Sequence, residues 1–175
     1  SIGQVDQVFA AVGRAYNSTM IAGNATIDAR YLYAEVLGRL SIPLNHTEEV
    51  CQESYRLFIK HAPLRINSHL WELINVLNKE GITTSLTSNT AFVKGTAIEA
   101  FLKSLELDKQ MLFNVYSDQV GYGKPHAAIF DELLNRLHVM NRPIQASRIL
   151  HIGDDPICDK KGAEQMGMHA ILIDS

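Results

Sequence analysis

Cysteine is scarce in this sequence. Cys51 and Cys158 are its only two, too few for a disulfide framework, and their spacing matches no zinc-binding pattern. They read as buried or idle thiols in a reducing compartment. Long apolar runs are missing too: no stretch approaches the roughly 18 residues of a membrane span, and no charged-then-apolar leader precedes the first polar residues. A soluble, cytoplasmic protein is expected, although Ser1 rather than a methionine opens the sequence. An excess of one charge is also lacking. Sixteen Lys and Arg face 19 Asp and Glu, a net of -3 with no long run of either sign. Neither nucleic acid nor a membrane surface is therefore an expected partner. Internal repeats and low-complexity tracts are absent, and 175 residues suffice for one domain with a real core plus a small appendage.

What is present divides into two patterns. Up to about residue 60 the apolar residues recur at helical spacing. Val5, Val8, Phe9 and Val12 share one face, as do Tyr31, Leu32, Val36 and Leu40, and then Val50, Tyr55, Leu57, Phe58 and Ile59. Ile42-Pro43 and Ala62-Pro63 punctuate these segments, because the residue before a proline avoids helix. From about Ile66 the pattern alternates. Ser68 can cap a helix carrying Leu70, Leu73, Ile74 and Leu77, with Gly81 as its stop. A strand over Ile82 to Leu86 follows, then a helix around Ile98, Phe101, Leu102 and Leu105 and a short strand near Leu112 to Tyr116. A helix with Ile129, Phe130, Leu133, Leu134 and Leu137 leads to a strand ending at Gly153. A last helix near Asp159 to Met166 gives way to a strand over His169 to Ile173. Such alternation predicts a parallel sheet with helices on both faces.

Three features fall at or just beyond strand C-terminal ends, where open α/β sheets bind ligands. The most informative is the apolar run Ile149-Leu150-His151-Ile152-Gly153, which leads into Asp154, Asp155 and Asp159. Clustered carboxylates at a tight glycine turn repel one another unless a cation lies between them, and Mg2+ is a natural guest for hard oxygen ligands. The plain alternative is a solvated loop in which Asp155 or Asp159 caps the next helix. The second feature is Leu86-Thr87-Ser88-Asn89-Thr90, whose hydroxyls and amide precede a helix N-terminus and suit an anion, or simply cap that helix. The third is Gly121-Tyr122-Gly123-Lys124-Pro125, where glycines and a proline hold a lysine on a fixed turn. A lysine so held can neutralise phosphate charge, or stand as a surface lysine in a turn. The GxxxxGK[ST] phosphate loop is absent, with Pro125 where its hydroxyl would be.

In their order along the chain the three features resemble the motifs of the haloacid dehalogenase-like hydrolases, most of which are magnesium-dependent phosphatases. The resemblance runs from about Ser68 to Ile173 and covers three of that family's four motifs. It implies that Ser88 binds the transferred phosphoryl group with Asn89 beside it, and that Lys124 steadies the phosphoryl oxygens and the nucleophile. It further implies that Asp154 ligates Mg2+, and that Asp155 or Asp159 supports the metal or Lys124. The implied architecture is α/β: a Rossmann-like, three-layer parallel sheet over residues 66–175 with an N-terminal helical cap subdomain over 1–65. The implied reaction is hydrolysis of a small phosphorylated metabolite through an aspartyl-phosphate.

The family's first motif, an apolar strand ending in Asp-x-Asp-x-Thr, is missing. Asp6 and Asp28 are the only aspartates before Ser68, and each stands alone in a helix-like setting. In family members that strand lies between the strand ending at Ser88 and the strand ending at Gly153. A sheet without it would leave costly unpaired amides, so the sequence is expected to begin after that motif, and this chain alone to be inactive. The alternatives are a degenerate binding or scaffolding member, and a metal-independent haloacid dehalogenase, whose carboxylate substrate the acidic turn would repel. Elsewhere the readings are plain. His126 replaces the aspartate that often follows the lysine-proline pair and is read as a helix cap. His151 is read as a buried neutral strand residue, and Trp71 and the early tyrosines as core or cap-interface residues. Cys158 lacks a histidine partner for thiol chemistry.

Overall fold

A computed structural model describes residues 1–23, 25–61 and 68–173. The expected subdomain boundary at 65/66, the Ala62-Pro63 break and the Ser68 side-chain cap all lie outside what is described.

Helix α1 (Ile2–Ile21) buries Val12, Tyr16 and Met20, spaced one turn apart along a single stripe. Helix α2 (Ala29–Arg39) starts at Asp28, whose carboxylate accepts the Arg30 N–H at 2.8 Å. Its buried face is Ala29, Leu32, Tyr33, Val36 and Leu37. Tyr31, expected on that face, is 70% exposed, because it lies roughly 200° around the helix from Ala29. In α3 (Thr47–His61), Cys51 rather than Leu57 or Ile59 is buried, the latter two flanking the inward stripe. Phe92 anchors these helices to the rest of the chain, its ring centroid 5.0 Å from that of Phe9 and 5.3 Å from that of Tyr33.

Beyond α4 (Ser68–Lys79), four short parallel strands form. They are β1 (Leu86–Ser88), β2 (Asn114–Tyr116), β3 (Leu150–Gly153) and β4 (His169–Leu172). The expected strand over Ile82 to Leu86 shifts to Leu86–Ser88, with one bond, Leu112 N–H to Thr84 O at 2.8 Å, extending the pairing backwards. Instead of one continuous sheet, the strands make two separate pairs. β1 pairs with β2 in the register Thr87 to Val115, and β3 with β4 in the register Ile152 to Ile171. Among the described residues each strand is laddered on one edge only. Among the described residues no further strand links the two pairs.

Helices α5 (Gly95–Ser104), α6 (Ser117–Val120), α7 (Ala127–Val139) and α8 (Gly162–Gln165) complete the fold. α7 joins the two half-sheets: its Ile129, Phe130 and Leu133 cluster with Val115 of β2, Ala163 of α8 and Met168 ahead of β4. His126 caps α7, its Nδ1 accepting the Ala128 N–H at 3.1 Å, as the sequence reading expected. The expectation of helices on both faces holds only in part. Leu150, Ile152 and Ile171 share a face of the β3–β4 pair and are 50%, 38% and 49% exposed.

Candidate active site

Two loops are locked together beyond the end of β1. The Asn89 side chain accepts the Lys124 N–H at Oδ1 (2.7 Å) and donates from Nδ2 to the Lys124 carbonyl (2.8 Å). This reciprocal pair ties the loop after β1 to the Gly121–Pro125 turn. A β-carbon at position 123 would stand 2.7 Å from Asn89 Oδ1, so glycine is required there. Behind the lock, Thr90 and Ser117 are buried and bonded hydroxyl to hydroxyl at 2.9 Å. The Ser88 hydroxyl makes one long bond, 3.3 Å to the Asn89 carbonyl, and is free to turn.

Lys124 is directed into the site by its own bonds. Its Nζ donates to the Thr87 carbonyl (3.0 Å) and to Asp159 Oδ1 (2.5 Å). An ammonium has three donors, so one remains. Asp159 accepts more: His151 Nε2 lies 2.9 Å from the same Oδ1, and the Asp155 N–H donates to Oδ2 at 3.0 Å. Burial alone would push the Asp159 carboxyl up. The hydrogen bonds from His151 and Lys124 outweigh it and hold the group well below the usual carboxylate range. Gly153 makes room for this arrangement, since a β-carbon there would fall on the Asp159 carboxylate.

The acidic turn divides its labour. Asp155 caps a π-type turn over Pro156–Lys161, its Oδ1 accepting the N–H groups of Ile157 (2.8 Å) and Cys158 (2.7 Å). Asp154, in contrast, is exposed and makes no side-chain bond among the described residues. Burial, reinforced by the charge of Asp155, pushes the Cys158 thiol up to about 11, which keeps it protonated and a poor nucleophile at neutral pH. Asn17, Met20, Ile21, Ser88, Asn89, Lys124, Asp154, Asp155, Cys158 and Asp159 together line one cavity of about 300 Å3.

A family model described as haloacid dehalogenase-like hydrolase matches residues 4–167, nearly the whole chain. The chain belongs to the haloacid dehalogenase-like hydrolases. Human haloacid dehalogenase-like hydrolase domain-containing protein 3 is 34% identical over 76 residues, 43% of this chain and 28% of the human protein. The chain thus matches little more than a quarter of that relative's length. Among solved structures, a Bacillus subtilis protein described as the HAD-hydrolase YfnB bound to magnesium superposes with a TM-score of 0.71 at 18% identity. That match covers 98% of this chain and 69% of the other. A Thermotoga maritima protein described as a β-phosphoglucomutase gives 0.63 at 20% identity, covering 99% and 81%. These likenesses establish the HAD-like α/β fold.

Seen against the sequence of this HAD-like chain, Ser88, Asn89, Lys124, Asp154, Asp155 and Asp159 all reach the one cavity. Asn89 does so with its amide committed to the Lys124 backbone, and Asp155 with one oxygen committed to a cap. Sequence reasoning missed Asn17, Met20 and Ile21 on α1, whose approach depends on tertiary packing. It also missed His151. A signal for His151 existed: strand residues two apart share a face, so His151 lies on the same side as Gly153, directly beneath the acid that follows.

Proposed function

We propose that this chain forms the phosphate- and metal-binding part of a Mg2+-dependent phosphatase for small phosphate monoesters. On this reading the nucleophilic aspartate is supplied from outside these 175 residues. The observation that carries the reading is Lys124, with one ammonium donor uncommitted, lining the same small cavity as the loosely held Ser88 hydroxyl and the unpaired Asp154 carboxylate. The sheet's division into two pairs supports a further strand between β1 and β3 as the source of the nucleophile. Residues 1–65 serve as the cap, with Asn17, Met20 and Ile21 over the site.

The donor set suits Mg2+, which binds through one or two carboxylates and keeps several waters. Asp154 and the uncommitted oxygen of Asp155 would hold the ion. Among the described residues no group of three or more His, Cys, Asp or Glu is placed to enclose a metal. When bound, the cation offsets negative charge on the phosphoryl group. The chain's own residues then act as follows. Ser88 donates its hydroxyl to one phosphoryl oxygen, and Lys124 its third N–H to another, positioning phosphorus for in-line attack by a carboxylate. The bond from phosphorus to the alcohol oxygen breaks as the carboxylate bonds to phosphorus, the departing oxygen takes a proton from solvent, and water then cleaves the aspartyl-phosphate to release inorganic phosphate and the free carboxylate. Asp159 holds Lys124 in place.

Phosphatase assays of the full-length protein test this reading directly. Activity is expected only with Mg2+ and should be lost in Asp154→Ala, while the 175-residue chain should bind orthophosphate without turnover. Activity that survives Asp154→Ala would overturn the metal assignment, and Mg2+-independent release of halide would favour dehalogenation instead.

A further inference from the structure

One buried polar side chain at the site has no part in that chemistry. His151 sits in β3 with its side chain 12% exposed and its ring edge-on to Phe130, centroids 5.7 Å apart at 76°. Its Nε2 is 2.9 Å from Asp159 Oδ1. Because Asp159 is a carboxylate that accepts only, Nε2 must carry the hydrogen.

The consequence is geometric. Asp159 Oδ2 is fixed by the Asp155 N–H at 3.0 Å, and Oδ1 by His151, so two rigid donors set the plane of the carboxylate. Lys124 is bonded to that same Oδ1 and to the Thr87 carbonyl, and those two directions determine where its third N–H points. Without the His151 donor, Oδ1 would be held by Lys124 alone. Carboxylate and ammonium could then swing together about the Oδ2 anchor. His151 also shares the charge of Oδ1, so Lys124 is less fully neutralised and keeps more of its field for an incoming anion.

We infer that His151 is a positioning residue, which acts through Asp159 to aim the free Lys124 donor into the cavity. Its significance for catalysis rests on the reading of Lys124 as the phosphoryl-binding cation, but the orienting role itself does not. The role requires only a hydrogen on Nε2.

Two variants separate orientation from packing. His151→Phe keeps a ring against Phe130 and removes the donor, whereas His151→Gln keeps an N–H at nearly the same reach. Two readouts apply to the full-length protein: the 15Nζ resonance of Lys124, and orthophosphate affinity in the presence of Mg2+ by calorimetry. A shifted Lys124 resonance and about tenfold weaker phosphate binding are expected in His151→Phe, the loss of roughly one charge-assisted hydrogen bond. Both should return towards wild type in His151→Gln. An unchanged resonance and unchanged affinity in His151→Phe would overturn the inference. A Lys124 resonance that responds in this way, in a chain that binds no phosphate, would uphold the positioning role and sink the phosphatase reading. Should His151→Phe not fold, the wild-type imidazole decides: long-range 1H–15N spectra must show the proton on Nε2, and an Nδ1–H tautomer would refute the arrangement.

Discussion

The two half-sheets are built from similar short parallel strands, yet they are finished differently. Every residue of β2 is buried, with Val115 and Tyr116 at 0% exposure. No residue of β3 or β4 is fully buried: His151, Gly153 and Ala170 are half-buried, while Leu150, Ile152 and Ile171 on the other face are open to solvent. Parallel sheets are ordinarily covered on both faces. The second pair therefore draws its stability from one face and from the loops beyond its strand ends. The strongest of those loop contacts also joins the halves: Lys124 follows β2 and Asp159 follows β3, so their ion pair is a bridge.

Breaking that bridge should give the largest effect. Lys124 and Asp159 side chains are 11% and 6% exposed, and removing one partner of a buried pair leaves an uncompensated charge at a cost of about 3–5 kcal/mol. Asp159→Ala is expected to destabilise the chain by that order in urea unfolding. A loss below about 1 kcal/mol would mean that the halves are joined by α7 alone.

The same carboxylate sets an acid limit. Although burial opposes it, the hydrogen bonds from His151 and Lys124 hold its folded-state pKa well below the ordinary carboxylate range, so the unfolded chain binds its proton first. The resulting stability is fully present above about pH 4 and is lost as pH falls below that. Wild-type protein should therefore lose melting temperature steeply between about pH 4 and 2, and Asp159→Asn should lose less over the same interval. Equal slopes would place the acid sensitivity elsewhere, for instance at Asp28, held at about 2 although burial opposes it, by Arg30 and Lys94.

How much of this could be read in advance differs between backbone pattern and side-chain reach. Helices α1, α2, α3, α5 and α7 follow from spacing, and the Gly121–Pro125 and Gly153–Asp155 turns from glycine and proline chemistry. The exposure of Tyr31 was also available from helical angle. The split of the sheet was not, since a strand's pairing depends on a neighbour distant in sequence. The site divides in the same way. Ser88, Lys124 and Asp154 announce themselves by residue type at strand ends. The cap duty of Asp155, the clamp made by Asn89 and the orienting bond of His151 depend on which side chains the folded loops bring within 3 Å.

The sharpest test of the comparison pairs two apolar truncations, one in each half-sheet. Val115→Ala removes methyl groups from a cluster sealed by Ile129, Phe130 and Ala163. It should cost about 2 kcal/mol, transfer and cavity terms together. Ile152→Ala, at a position 38% exposed on the open face, removes a larger group but leaves no cavity, and should cost under about 1 kcal/mol. Urea midpoints of the two variants at equal slope would measure the difference. A cost for Ile152→Ala as large as that for Val115→Ala would mean that the outer face of β3 and β4 is covered in solution. The bare face, rather than the strands themselves, would then be the part of this comparison to abandon.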